Sequence, residues 1–235
     1  MTTSDIARMI DHAVLHPAST DADLRKNCAL AKLHGVATVC VKPYHTALAA
    51  TLLKGTEVKV CAVIGFPHGN SSHGIKLTEA SIVIDEGAAE VDMVANIGKV
   101  IQEDWEYLDE EIGIIQTLCS IHKVLLKVIF ETDFVTSDAH KIKLCELCNK
   151  NQVAFVKTST GFGFVPVDDG HYMYHGATEH DVRLLREHCL PQVQVKASGG
   201  IRTLDQLLRF HDLGATRFGT SSTEAIMTEA RMRFG

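Results

Sequence analysis

The sequence predicts a single (β/α)8 TIM barrel, in which eight parallel strands close into a barrel that helices surround. Short apolar runs rich in β-branched residues alternate with longer amphipathic stretches along the whole chain. There are eight such runs, and 235 residues is a usual length for one barrel of this class. No proline-rich or serine-rich linker divides the chain, so residues 1–235 are expected to form one domain. An open doubly wound sheet is the alternative.

Each apolar run marks a strand candidate, and the amphipathic stretches between them mark helix candidates. The strands are predicted at residues 9–15, 36–41, 58–66, 89–95, 123–131, 153–159, 193–198 and 215–221. The helices are predicted at residues 20–35, 74–87, 104–121, 137–150, 178–188 and 203–214. The first helix has the clearest ends, because Thr20 or Asp21 can cap its start and Gly35 can end it.

Charged residues interrupt four of the apolar strands. Residues two apart in a strand share a face, so each charged side chain can be assigned to the inward face by its apolar neighbours. The charged residues assigned to this face are Glu90 and Asp92, Lys127 and Glu131, Lys157, and Lys196. Residues near the carboxyl ends of the strands form the active site in barrels of this class. Lys157, Lys196 and Asp92 all lie at those ends.

The paired lysines indicate amine chemistry. A buried lysine close to another cation loses proton affinity, because both burial and repulsion disfavour its charged form. A neutral amine can attack an aldehyde or ketone to give an imine, which then serves as an electron sink. An inward carboxylate such as Asp92 can move the protons. The alternative is that the lysines only form interior ion pairs with Asp92, Glu90 or Glu131.

Glycine-rich turns form a second signal. The stretches TSTGFG (158–163), SGGIR (198–202) and GTSS (219–222) each follow a strand and precede a helical stretch. Free N–H groups at such helix starts bind phosphate, and the last two strands of these barrels often build a phosphate site. Each turn alone is weak support, because glycine-rich turns are also simply tight turns. Three around one barrel mouth predict a phosphorylated substrate.

Bulk properties exclude several classes of partner. A net charge of −6 and a pI near 6.1 give no general attraction for nucleic acid or an anionic membrane surface. No run of about 18 apolar residues is present, and the N-terminal stretch carries charges where a secretory signal needs an apolar core. Seven irregularly spaced cysteines are expected to be reduced thiols. A cytoplasmic protein with a small-molecule substrate is therefore expected.

Six motifs resemble those of the deoxyribose-phosphate aldolase family, which are class I aldolases built as (β/α)8 barrels. In this chain they read IDHAVLHP, VCVKP, EVDMVANIG, LKVIFET, FVKTSTGFG and VKASGGIR, and the resemblance runs from Ile10 to Ser222. It implies reversible cleavage of 2-deoxy-D-ribose 5-phosphate to acetaldehyde and D-glyceraldehyde 3-phosphate. It also implies that no cofactor or metal is needed, and it suggests a homodimer or homotetramer.

The resemblance assigns roles to individual residues. Lys157 matches the Schiff-base lysine, Lys196 the neighbour that disfavours protonation of that amine, and Asp92 the proton-transfer carboxylate. Asp11 and Lys127 match supporting polar positions. The residues matching the turns that hold the substrate phosphate are Gly161, Gly199, Gly200, Gly219, Ser221 and Ser222, with Arg202 as an additional cation.

Two features depart from the family pattern. Phe162 follows Gly161 where some members carry a lysine, and the sequence stops at MRFG without the terminal tyrosine of some members. Neither feature touches the lysine pair. Both bear on affinity for the phosphate, which is expected to depend more on backbone N–H groups and Arg202.

Other interpretations of the same residues remain open. The donor could be that of a transaldolase or keto-acid aldolase, Lys157 could anchor pyridoxal phosphate, or the chain could be a non-catalytic phosphosugar-binding protein. CELC (145–148) has redox or metal spacing but is better explained by buried helix cysteines. His171, His175 and His180 could bind a metal if the first two lay one helical turn apart. Cys40 is expected to face the barrel interior with Thr38 and Lys42, as a packing residue rather than a nucleophile.

Overall fold

Eight parallel strands close into a barrel in the computed structural model, which describes all 235 residues. The barrel strands are β1 (Ile10–Val14), β2 (Thr38–Val41), β3 (Lys59–Ile64), β4 (Glu90–Val94), β5 (Leu125–Ile129), β6 (Phe155–Lys157), β9 (Gln194–Ser198) and β10 (Ala215–Thr220). A short antiparallel hairpin, β7 (Val165–Pro166) and β8 (Tyr172–Met173), lies between β6 and β9 in sequence and outside the barrel. The order around the barrel is β1-β10-β9-β6-β5-β4-β3-β2. The predicted fold class is confirmed.

Ten α-helices cover the barrel and connect its strands. They are α1 (Thr3–Ala7), α2 (Asp21–His34), α3 (Thr46–Leu53), α4 (His73–Asp85), α5 (Ile97–Ile101), α6 (Trp105–His122), α7 (Asp138–Lys150), α8 (Glu179–His188), α9 (Leu204–Asp212) and α10 (Thr223–Phe234), with a 3-10 turn at Pro43–His45. The six predicted helices are confirmed as α2, α4, α6, α7, α8 and α9. None of the helices is both long enough and apolar enough to cross a membrane.

The ends of α2 follow the predicted capping chemistry. The Thr20 hydroxyl accepts a hydrogen bond from the Asp23 N–H, and the Asp23 carboxylate accepts one from the Thr20 N–H. Gly35 ends the helix with a left-handed φ of 64°, which glycine adopts without a Cβ clash. The loop after β1 is thereby held beside the barrel mouth.

The predicted strands exceed the observed ones at several ends. Residues 153–159 were expected to be extended, but β6 contains only Phe155–Lys157. Thr158 and Ser159 lie just beyond β6 and are buried, and the Thr158 N–H still donates to the Lys196 carbonyl of β9 at 3.1 Å. The Thr158 hydroxyl donates to the Ser198 carbonyl at 3.2 Å, and the Ser198 hydroxyl donates to the Ser159 carbonyl at 2.5 Å. These bonds fix the ends of β6 and β9 next to each other.

The apolar core lies mainly between the barrel and its helices, where 54 buried residues form one continuous cluster. The inside of the barrel is different. Charged side chains occupy it near the middle of the strands, and a smaller apolar cluster of Leu15, Cys40, Cys61 and Val63 lies beside them. Burying so many charges requires that they be paired, and their pairing defines the candidate active site.

A buried ion pair between α4 and α6 fixes the carboxyl end of β4. The Lys76 ammonium donates to the Glu111 carboxylate and to the Val94 carbonyl, both at 2.7 Å. The Glu111 carboxylate in turn accepts from the Asn96 N–H at 3.1 Å. Burial lowers the pKa of Lys76 and raises that of Glu111, so each partner depends on the other to stay charged. The pair thus holds the turn that follows Asp92.

Removing Lys76 should therefore destabilise the fold strongly. In Lys76→Met the Glu111 carboxylate keeps its burial but loses its cation, and breaking a buried pair on one side typically costs about 3–5 kcal/mol. Urea denaturation should show a loss of this order. Lys143→Met is the matched control, because the Lys143 pair with Glu146 is exposed and worth about 1 kcal/mol or less. Equal losses in the two variants would show that the buried pair has no special role.

Candidate active site

Three lysines converge on one buried carboxylate at the centre of the barrel. Asp92 Oδ2 lies 2.8 Å from the Nζ of Lys157 and 2.7 Å from the Nζ of Lys196. Asp92 Oδ1 lies 2.7 Å from the Nζ of Lys127. All four side chains are buried. The two lysines predicted to act together therefore bind the same carboxylate oxygen, and the inward assignment made from strand alternation is correct for all four residues.

A second set of carboxylates completes the ion pairing. Asp11 Oδ2 lies 2.5 Å from the Lys196 Nζ, and Glu90 Oε2 lies 2.5 Å from the Lys127 Nζ. The other Asp11 oxygen accepts a hydrogen bond from the Thr38 hydroxyl at 2.8 Å. Lys127 and Lys196 thus each bind two carboxylates closely. Lys157 forms an ion pair with Asp92 alone.

The pKa values in this cluster reflect a balance of burial and pairing. Burial raises the pKa of Asp92, but attraction to Lys127, Lys157 and Lys196 outweighs it and leaves the pKa well below its usual range. Asp11 behaves in the same way beside Lys196 and Lys127. Burial lowers the pKa of Lys127 and of Lys196. Attraction to their carboxylate partners outweighs burial and raises both pKa values above the ordinary value for lysine. Lys127 and Lys196 are therefore firmly protonated.

A cavity of about 490 Å³ lies above the cluster, at the carboxyl ends of the strands. Lys157, Lys196 and Asp11 line it, whereas Asp92 and Lys127 lie beneath them and do not. A small molecule entering the cavity reaches the two amines directly. Asp92 is then available to both amines from the side away from the cavity.

The polar side of the cavity is formed by the predicted phosphate turns. It contains all seven residues assigned to that role, namely Gly161, Gly199, Gly200, Arg202, Gly219, Ser221 and Ser222. Gly199 and Gly200 have left-handed φ values of 90° and 78°, which only glycine adopts readily. Ser222 makes no capping hydrogen bond to α10, so the first N–H groups of this helix remain available to an anion.

The cavity lining also has an apolar part, which includes Phe162 next to Gly161 of the first turn. Leu15, Cys40, Phe162, Phe164 and Tyr174 contribute to it. Phe162 packs edge to face against Phe66 with ring centroids 5.6 Å apart, and Phe164 packs against Tyr174 at 5.3 Å. Except for Cys40 and Phe162, sequence reasoning did not single out these residues. They lie in loops, where no strand or helix period marks them.

Glu131 and Asp133 hold the loop that carries the aromatic residues. Glu131, which has a left-handed φ of 57°, accepts hydrogen bonds from the N–H and the hydroxyl of Thr160. Asp133 accepts from the N–H groups of His175 and Gly176 at 2.6 and 3.1 Å. Burial raises the pKa of Glu131 to about 7, although the bonds from Thr160 oppose this. Asp133 was missed because it lies beyond the end of β5.

The three histidines considered as metal ligands do not have helical spacing. His171 and His175 flank β8, and the His180 side chain bonds the Asp138 carboxylate at 2.9 Å. The two cysteines of CELC are buried on α7, as the packing interpretation expected. Cys40 faces the barrel interior and lines the cavity, which confirms its predicted orientation.

Comparison with known proteins identifies the family. Residues 6–227 match the family described as DeoC/LacD family aldolase. The chain is 43% identical over 231 residues to the deoxyribose-phosphate aldolase of Rhodopirellula baltica, covering 98% of this chain and 91% of that one. It is 42% identical over 233 residues to that of Thermococcus gammatolerans, covering 98% and 99%.

Solved structures have the same fold. The tetrameric deoxyribose phosphate aldolase of Aeropyrum pernix superposes with a TM-score of 0.86 at 28% identity, covering 98% of this chain and 92% of that one. The aldolase QR15 superposes with a TM-score of 0.87 at 34% identity, covering 97% of both chains.

Ionisation of Glu131 should make stability depend on pH. The folded protein holds the Glu131 proton up to a pKa of about 7, whereas the unfolded chain loses it near 4.5. The native state therefore binds more protons between these values, and stability falls as pH rises through them. Glu131→Gln cannot ionise, so its stability relative to the native protein should rise across this window by up to roughly 3 kcal/mol.

Urea denaturation at pH 4.5 and pH 7.5 measures this difference. Glu57→Gln, at an exposed loop position, is the control and should show no pH-dependent gain. A Glu131→Gln variant with the same offset at both pH values would contradict the assignment.

Proposed function

The chain belongs to the DeoC/LacD aldolase family, and we propose that it cleaves 2-deoxy-D-ribose 5-phosphate to acetaldehyde and D-glyceraldehyde 3-phosphate through an imine on Lys157. The reverse addition uses the same groups. One observation carries the choice of Lys157 as the nucleophile. Its amine lines the cavity, shares a carboxylate oxygen with Lys196, and forms an ion pair with only that one carboxylate.

The reaction follows from the position of the amine. Lys157 Nζ attacks the C1 aldehyde of the open sugar, and loss of water gives a protonated imine. The C3 hydroxyl then gives up its proton, the C2–C3 bond breaks, and its electron pair moves to C2 to form an enamine. Glyceraldehyde 3-phosphate leaves. Protonation at C2 and addition of water then release acetaldehyde and restore the amine.

Asp92 is the proposed proton carrier for these steps. Its Oδ2 accepts hydrogen bonds from both amines, so it can pass a proton from one amine to the other, and the amines, which line the cavity, carry the proton to the substrate. Lys196 supplies a fixed positive charge on the same oxygen. That charge lies beside the Lys157 amine and competes with it for the same oxygen of Asp92.

The polar and apolar parts of the cavity lining suit the two ends of the sugar. The glycine turns and the start of α10 offer N–H groups to the 5-phosphate, with Arg202 at their edge. Leu15, Cys40 and Phe162 add apolar surface to the same cavity, against which the two-carbon donor can lie.

Borohydride trapping tests the proposed function directly. Acetaldehyde and borohydride should add an ethyl group to Lys157 and abolish activity, and peptide mass mapping locates the label. Samples lacking acetaldehyde, and Lys157→Met, should remain unlabelled. A label on Lys196 would reverse the two roles. No label on either lysine would favour a non-catalytic phosphosugar-binding protein.

Replacing Asp92 should separate imine formation from later proton transfer. Asp92→Asn keeps the shape of the side chain but loses a proton acceptor, which typically costs about 10²- to 10⁴-fold. In heavy water the native enzyme should exchange the methyl protons of acetaldehyde through the enamine, and the variant should exchange them far more slowly. NMR follows the exchange. Near-native exchange and cleavage by Asp92→Asn would leave Asp92 as a structural ion-pair partner only.

A negative charge at Ser221 should weaken recognition of the phosphate. Ser221→Asp sets a carboxylate against the phosphate dianion, so kcat/KM should fall much more for 2-deoxyribose 5-phosphate than for 2-deoxyribose. Ser221→Ala is the control for side-chain size and should cost less with the phosphorylated sugar. Equal losses for both sugars in Ser221→Asp would place the phosphate elsewhere.

We further propose that the protein acts in the cytoplasm as a homodimer or homotetramer. All seven cysteines are free, which suits a reducing compartment. The Aeropyrum pernix relative is tetrameric. Light scattering at several protein concentrations tests the assembly.

A further inference from the structure

Arg217 lies in the barrel beside the lysine cluster but outside the cavity. It stands on β10, and its guanidinium reaches across to the opposite strand, β4. One nitrogen, Nη1, donates to Asp11 at 2.8 Å and to Glu90 at 3.0 Å. The guanidinium also lies over the Phe155 ring, 5.1 Å from its centroid. Arg217 does not line the cavity, so it has no direct access to the substrate.

Both carboxylates bound by Arg217 also bind a lysine of the site. Asp11 holds Lys196 at 2.5 Å, and Glu90 holds Lys127 at 2.5 Å. Arg217 is therefore one contact away from each of the two lysines that stay protonated. Its own charge is permanent, because a guanidinium does not lose its proton in proteins.

The cluster, in which Arg217 is half-buried and the other members are buried, contains one more cation than it has carboxylates. The cations are Lys127, Lys157, Lys196 and Arg217, and the carboxylates are Asp11, Glu90 and Asp92. Uncompensated charge is costly in a dry interior, so a cluster that gives up one proton is favoured. Arg217 cannot release a proton, and Lys127 and Lys196 each have two close carboxylates. Lys157, with a single close carboxylate, is the cation that the anions of the cluster compensate least.

Three further titratable groups lie around the cluster, and none of them forms a close ion pair with its cations. They are the thiols of Cys40 on β2 and Cys61 on β3, and the Glu131 carboxyl beyond β5. Burial raises the pKa of Cys61 well above its usual range, so its thiol stays neutral while it donates to Asp92. Cys40 and Glu131 form no ion pair with the four cations.

We propose that Arg217 is a positioning residue that supplies the surplus positive charge and thereby keeps the Lys157 amine free to form the imine. This inference rests on the proposed function, since it explains how the proposed nucleophile becomes available. Arg217 acts through Asp11 and Glu90 and does not touch the substrate. Without it, two lysines and three carboxylates would remain around Lys157, and protonation of Lys157 would balance the cluster.

The pH dependence of the reaction tests this role. In Arg217→Gln the acid limb of kcat/KM, and of the rate of borohydride trapping, should move to higher pH by about one unit. Activity should fall by up to about tenfold at pH values below the native acid limb, by less at pH 7, and should recover at alkaline pH. Arg217→Lys keeps the charge and should keep the native profile. Arg209→Gln, at an exposed helix position paired with Glu179, is the matched control and should leave the profile unchanged.

Removing the Glu90 carboxylate should shift the acid limb in the opposite direction. Glu90→Gln alone leaves two carboxylates for the same cations, so its acid limb should move to lower pH. The double variant Arg217→Gln, Glu90→Gln has one cation and one carboxylate fewer and should return toward the native profile. The double variant removes the Glu90 carboxylate together with its guanidinium partner, so neither charge is left without the other. It therefore tests the role of Arg217 even where Arg217→Gln alone folds poorly.

Each outcome distinguishes a charge role from a structural one. Equal loss of rate at every pH in Arg217→Gln, or a double variant that does not return toward the native profile, would overturn the proposal. If native protein is labelled at Lys157 but Arg217→Gln keeps the native profile, only the role of Arg217 fails. If native protein is not labelled at Lys157 at any pH, the proposed function fails, and this inference fails with it.

Discussion

The carboxylate of Asp92 is the interaction on which the rest of the site depends. Three lysine side chains cannot be buried together in a barrel unless an anion compensates their positive charge. Asp92 occupies that position, with one oxygen toward Lys127 and the other shared by Lys157 and Lys196. The buried pair of Lys76 and Glu111 fixes the end of the same strand from outside the barrel. β4 therefore carries the central carboxylate of the candidate site, and its end is held by the buried ion pair.

The ion-paired side chains and the lining of the cavity lie at different depths in the barrel. Ion pairs fill the interior below the cavity, where water is excluded and each charge is held by a strand. The lining of the cavity above combines polar glycine turns with apolar side chains, most of which lie in loops. In the proposed function the strands position the reacting groups and the loops contact the substrate.

The residues of the site that could be predicted from the sequence are those whose inward orientation follows from alternation along a strand. Lys157, Lys196, Asp92 and Lys127 could be placed together because each interrupts an apolar strand at an inward position. Arg217 was not singled out because the pairing register shifts between Ala215 and Arg217, which disturbs simple alternation on β10. The hairpin of β7 and β8 and the aromatic wall follow no period, so only three-dimensional packing reveals them. The Lys76–Glu111 pair joins helices distant in sequence.

The number of protons held by the buried amines tests the account most directly. Lysine labelled with ¹³C at Cε distinguishes ammonium from amine by its NMR shift, and the signal missing from Lys157→Met identifies that residue. The account predicts one buried free amine at pH 7, assigned to Lys157, with Lys127 and Lys196 as ammonium groups. Ammonium shifts for all three lysines throughout the pH range of activity would contradict it.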